Sequence, residues 1–290
     1  RVYVDRVHVK KAFAEYTAAY NADDPKIKLK IDHTYRVAAL CERIAKAAGM
    51  CAYDVELAWL SGMLHDVGRF EQIKRYNTFS DADSVDHAKF GADLLFKDGL
   101  ISTFLNGMVK CTGYKPGALE DRYSSDGVFL YDRLNKSDME MLELTIRCHN
   151  MYRIPQGLNR REQAFCNVLR DADKVDIFKV NIDTPLEEIY NTTTEELMKS
   201  DITDEVLEAF GEEHCILKAI RRTPADTVIG HVSLAYELVY DESVRITVEQ
   251  GYLGKLMHFH SDNEETNRKM AMVREKMDSH VKKRIGKKDA

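Results

Sequence analysis

The sequence predicts an all-α fold. Apolar residues recur at three- and four-residue steps along most of the chain, no series of alternating strands interrupts them, and capping or turn residues separate the periodic stretches. At 290 residues, with 44% apolar and 31% charged side chains, the chain can bury a substantial core. A net charge of -6 argues against a large nucleic-acid surface, which needs concentrated Lys and Arg to displace counterions. No apolar run approaches the roughly 18 residues that span a bilayer, and the start carries no signal-peptide core. The six cysteines (Cys41, Cys51, Cys111, Cys148, Cys166, Cys215) show no Cys-x-x-Cys spacing. Reduced thiols in a cytoplasm follow as the simplest reading.

The first helix is expected from about Val7 to Tyr20, closed by Asn21-Ala22-Asp23-Asp24-Pro25. A second runs from about Lys26 to Ala48 with Gly49 as its stop, and places His33 in line with Val37, Leu40 and Ile44 on an inward stripe. A third, about Ala52 to Leu64, ends in His65-Asp66, where Gly68 allows the backbone to turn away. Glu71 to Asp83 reads as a polar loop over that helix end. Ser84 or Asp83 is placed to cap a helix on which His87, Gly91 and Leu94 share a face. A further helix is expected from about Ile101 to Cys111, followed by Tyr114, Lys115 and a polar loop to Gly127.

Ser137 and Glu140 have the spacing of a capping box for a helix that ends at His149-Asn150. After a loop carrying Arg153, the helix from about Arg160 to Val180 brings in three carboxylates. Periodicity leaves the choice among Asp171, Asp173 and Asp176 open, with Asp171 and Asp176 closer to the apolar stripe. From about residue 182 the chain stays helical without clustered chemistry: His214, His231, His258, His260 and His280 read as structural. Lys282-Lys283-Arg284 and Lys287-Lys288 read as a solvated helix end.

An imidazole and a carboxylate side by side at a helix end suit a borderline divalent cation, Mn, Fe, Co, Ni or Zn, better than Ca or Mg. In a helical bundle, inward groups from several helices meet at the core, so His33, His65-Asp66 and a late Asp can converge. Arg69, directly after Gly68, is the candidate clamp for a phosphate, with Arg75, Lys115 and Arg153 as weaker candidates from loop position.

This series resembles the HD-domain superfamily of metal-dependent phosphohydrolases: a helix His, then His-Asp, then a late Ala-Asp. His65-Asp66-Val67-Gly68-Arg69 resembles the family's His-Asp-x-Gly-Lys/Arg form, and Ala172-Asp173-Lys174-Val175-Asp176 its closing motif, which selects Asp173. The likeness covers roughly Lys26 to Phe178. It implies that His33, His65, Asp66 and Asp173 bind one metal, and that Asp66 bridges to a second held by His87 and His149. With one metal only, His87 and His149 would bind phosphate oxygens or shuttle a proton. Residues 1–181 are thus expected to form an HD-type domain with an N-terminal helix, and 182–290 a helical extension.

By the same resemblance the chain is expected to hydrolyse a phosphoester or phosphoanhydride of a small, nucleotide-like substrate with one or two divalent transition metals. A homodimer is compatible with it. The alternatives are a diiron oxygenase of the superfamily and an inactive nucleotide-binding regulatory module. Departures narrow the substrate. The acidic pair of alarmone hydrolases is replaced by Gly68-Arg69, and Arg69 stands where a nucleotidase branch has Glu. Likeness to the cyclic-dinucleotide phosphodiesterases is incomplete at His149-Asn150 and Pro155-Gln156-Gly157-Leu158.

Overall fold

The computed structural model describes residues 4–105, 107–109, 129–131 and 136–286. Contacts divide the chain into two compact units, one up to Ala172 and one from Asp173. The division falls inside a continuous helix, α8 (Arg160–Asp183).

The first unit opens with α1 (Arg6–Ala18), capped by Asp5, and α2 (Pro25–Ala47), where Asp24 accepts from the Lys26 amide and Pro25 takes the first helical position. Gly49, at φ 76°, turns the chain into α3 (Ala52–Leu64). The two helices pack backbone to backbone: a Cβ on Gly62 would lie 2.6 Å from the Ala38 Cα. Val37, Cys41 and Ile44 from α2 and Leu57, Leu60 and Leu64 from α3 are fully enclosed.

The expected loop from Glu71 is in its first half a helix. α4 (Val67–Tyr76) starts one residue after Asp66 and stops where Asn77 takes a left-handed φ of 50°. Gly68 therefore lies within a helix and does not turn the chain away. The cap of α5 (His87–Ala92) is Asp86, whose carboxylate accepts from the Lys89 amide, in place of Ser84 or Asp83. α5 widens into a π turn over Asp93–Lys97 before α6 (Ile101–Leu105).

The helix expected as far as Cys111 ends at Leu105. A short antiparallel ribbon follows, β1 (Gly107–Val109) with β2 (Phe129–Tyr131), Gly107 opposite Tyr131. The architecture remains all-α, with this ribbon as its one departure among the described residues. Tyr114 and Lys115 lie outside the described residues. α7 (Lys136–Arg147) begins before Ser137, so Ser137 and Glu140 sit inside its first turns. Arg161 of α8 grips Asp54 and the buried Asp138, pairing at 2.7 and 2.8 Å.

The second unit contains α9 (Leu186–Tyr190), α10 (Thr194–Lys199), α11 (Asp204–Gly211), α12 (Pro224–Ser233), α13 (Asp241–Gln250), α14 (Tyr252–Met257) and α15 (Glu264–Ile285). Its core joins Phe178 to Val206, Phe210, Ile229, Val232, Leu253, Met270 and Val273. Buried Asp226 accepts from the backbone amides of Thr203 and Thr223, the N-cap positions of α11 and α12, so one carboxylate orders two helix starts. Arg284 donates to the carbonyls of Leu238 and Val239 and pairs with Asp241, so that part of the expected solvated tail is docked. Among the described residues no helix is long and apolar enough to cross a membrane.

Candidate metal centre

The centre is built where α3 gives way to α4. His65 follows the last residue of α3, and Asp66, at φ -110° and ψ 15°, precedes the first of α4. Asp at an N-cap normally accepts from amides of the first turn. The Asp66 side chain makes no such bond. Instead it points into a ring of histidines, and the sacrificed cap is the local mark of a group held for another purpose.

Each carboxylate oxygen of Asp66 faces its own pair of imidazoles. Oδ2 lies 3.5 Å from His33 Nε2 and 3.4 Å from His65 Nε2. Oδ1 lies 3.5 Å from both His87 Nε2 and His149 Nε2, which approach each other to 3.1 Å. All four imidazoles and Asp66 are buried. Three groups of ligand atoms lie within 4.8 Å of one another: His33, His65 and Asp66; Asp66, His87 and His149; and His65, His149 and Asp173. Among the described residues Asp173 joins such a group, while Asp171 and Asp176 do not.

Backbone sterics bring these groups together. A Cβ on Gly68 would lie 2.5 Å from the His87 carbonyl oxygen and 2.8 Å from the Gly91 nitrogen, so only glycine lets α4 and α5 meet this closely. α1 braces the same point: Tyr16 donates to the Val67 carbonyl at 2.9 Å, and Tyr20 to Glu71 at 2.7 Å. At the end of α7, Arg170 donates to the carbonyls of Cys148, His149, Met151 and Tyr152, satisfying the chain just where His149 is presented.

Hydrogen bonds assign the tautomers. His65 Nδ1 lies 2.7 Å from the Gly62 carbonyl and His149 Nδ1 2.6 Å from that of Ile146. A carbonyl only accepts, so each Nδ1 carries a proton, and Nε2, facing Asp66, is left as the ligating atom of the ring. His87 Nδ1 lies 2.7 Å from Asp81 Oδ2, with the same result. Burial, helped by the Arg69 charge, pushes the His87 imidazolium down to about 4, which keeps the ring neutral at pH 7. Burial opposes ionisation of Asp66, but Lys30, His65 and His149 outweigh it and hold its carboxyl well below the usual range. Imidazole nitrogens around an ionised carboxylate form the donor set of a transition-metal site, so the residues fit such an ion.

Two cations flank the centre. Arg69 Nε lies 4.0 Å from Asp66 Oδ1, is buried and has no hydrogen-bond partner, while its Nη1 donates to Gln72, the Phe79 carbonyl and Asp81. Lys30, one turn before His33 on α2, donates to Asp66 Oδ2 at 2.8 Å. The other two described candidates have different partners. Arg75 pairs with Glu71 at 2.8 Å and lies over the Phe90 ring, and Arg153 lies over Tyr152.

Sequence reading did not single out Lys30, Asp81 or Arg170. The i, i+3 step from Lys30 to His33 is a usable signal; Asp81 lies in a polar loop at no helical spacing from His87, and Arg170 acts across 18 to 22 residues, so neither leaves one.

Residues 31–178 match the family model described as the HD domain. No curated protein and no solved structure matches the chain.

Proposed function

The chain belongs to the HD-domain family, and from that premise we propose that it is a phosphohydrolase acting on a small phosphoester or phosphoanhydride, nucleotide-like in kind, in the cytoplasm. The observation that carries this reading is the division of Asp66 between two histidine pairs, one on each carboxylate oxygen. HD domains bind divalent metals, and the His and Asp groups here could hold one.

In this reading His33, His65, Asp66 and Asp173 hold one divalent transition metal, and Asp66, His87 and His149 offer a second position. Mn, Fe, Co, Ni and Zn all suit the donors. When bound, the metal supplies Lewis acidity and a nucleophile at neutral pH.

The chain's own groups do the rest. Arg69 Nε is a buried donor without an acceptor beside Asp66, and a phosphoryl oxygen would satisfy it at the point where negative charge builds. Lys30 adds a second cation on the opposite carboxylate oxygen. With one metal only, His87 and His149, whose Nε2 atoms are directed inward, take up and return a proton at Nε2. Asp66 stays ionised and orients the histidines around it.

The test is metal analysis of the purified protein, followed by assay of Mn-, Co- or Ni-loaded protein against nucleotides and simple phosphoesters. Hydrolysis that is lost in His65→Ala and Asp66→Ala, together with bound metal, is expected. About two irons per chain with O2 consumption and no hydrolysis would replace the proposal with oxygenase chemistry. Nucleotide binding without turnover would replace it with a regulatory module.

A further inference from the structure

His65 and His149 each bond Nδ1 to a carbonyl three residues earlier in the chain, Gly62 and Ile146. Their tautomers therefore come with their own helices. His87 cannot use that device. It is the first residue of α5, and no helical turn precedes it to supply a carbonyl. The acceptor has to come from elsewhere, and it comes from the loop between α4 and α5.

We propose that Asp81 is the positioning residue of the centre: its carboxylate fixes the Nδ1–H tautomer of His87, aims Nε2 at Asp66 and His149, and holds Arg69 in the same grip. Both Asp81 oxygens reach His87 Nδ1, at 2.9 and 2.7 Å. Oδ1 also accepts from Arg69 Nη1 at 3.1 Å and from Gln72 Nε2 at 3.0 Å, and Oδ2 accepts from Asn150 Nδ2 at 3.2 Å.

The carboxylate is thus itself locked from three directions. Gln72 is fully buried on α4 and returns its own oxygen to Arg69 at 2.8 Å. Asn150 follows His149 directly, so Asp81 joins the loop to the chain on both sides of the second histidine pair. A charged acceptor behind a ligating imidazole fixes its orientation and raises its basicity, and loss of such a partner typically weakens metal affinity or activity about 10- to 100-fold.

This inference rests on reading His87 as a ligand, and its test is separable from hydrolysis. The full chain, labelled with 15N-histidine and treated with chelator, is compared as wild type, Asp81→Asn and Asp81→Ala by long-range 1H–15N correlation. Signals are assigned with His87→Gln. Wild-type His87 should be protonated at Nδ1 alone. Asp81→Ala should give mixed His87 tautomers with His65 and His149 unchanged. Asp81→Asn, which keeps an uncharged acceptor of the same shape, should fall between and guards against simple unfolding.

Co(II) titration of the same proteins should show affinity at one position weakened about 10- to 100-fold in Asp81→Ala, and less in Asp81→Asn. An unaltered His87 tautomer in both variants, or unaltered Co(II) binding, would overturn the proposal. Tautomer and affinity changes in a protein that hydrolyses no phosphoester would uphold it and overturn the hydrolase reading instead.

Discussion

At Gly68 the absence of a side chain is what the site requires. Its missing Cβ is the space through which α5 brings the His87 carbonyl and Gly91 against α4. Gly68→Ala should force the helices apart, lower thermal stability by the equivalent of about 1–3 kcal/mol, and weaken metal binding at the His87–His149 pair more than at the His33–His65 pair. Thermal unfolding and Co(II) titration check both parts. Unchanged metal binding would show that the approach of α4 and α5 does not set the position of His87. A glycine in a His-Asp-x-Gly string looks at first like a turn signal. Its actual use is to let two helical backbones approach, a property of packing that a one-dimensional pattern does not display.

Among the elements, α1 lies outside the matched segment, yet it is fastened to the helices that carry the site. Arg6 pairs with Glu42 of α2 and Glu56 of α3 at 2.7 and 2.8 Å, and its guanidinium lies over Trp59. The hydrogen bond from Arg6 lowers the Glu42 carboxyl from 4.5 to about 2. A carboxyl depressed in the folded state contributes stability that is complete above its unfolded value and disappears as pH falls toward the folded one. The stability lead of wild type over Arg6→Met should therefore be constant above about pH 5 and narrow between about pH 4.5 and 2. Melting temperatures across that range measure it, and a lead independent of pH would assign the role of Arg6 to its stack on Trp59 alone.

At the scale of the whole molecule, the two units carry different histidine chemistry. The first gathers His33, His65, His87 and His149 around one carboxylate. In the second, His231 packs its ring 5.5 Å from that of Tyr190, with Nδ1 closed off from solvent and no hydrogen-bond partner. Burial, then Arg221 and Lys218, push its imidazolium from 6.5 down to about 3. The unfolded chain then binds the extra proton first, so the second unit is most stable above about pH 6.5 and loses stability as pH falls toward 3. His231→Gln should flatten the fall of melting temperature between about pH 6.5 and 4. An unchanged slope would show that His231 is not held neutral in the folded unit.

The helical class and most helix limits in the first unit were legible in the sequence, and its motifs carried the family resemblance that implies His33, His65, Asp66, His87, His149 and Asp173 as ligands. Each rests on short-range information: three- and four-residue periodicity, a cap or stop within one turn, or a motif of adjacent residues. α3 runs from Ala52 to Leu64 because its apolar period and its flanking residues are local facts. Packing alone made Glu71 to Tyr76 helical and set Gly107–Val109 against Phe129–Tyr131 as a ribbon. The structure also bonds Lys30 to Asp66, Asp81 to His87 and Arg170 to the His149 carbonyl. A carboxylate in a polar loop or an arginine on a helix looks solvated in sequence, and its partners are fixed only when packing closes contacts beyond a helical turn.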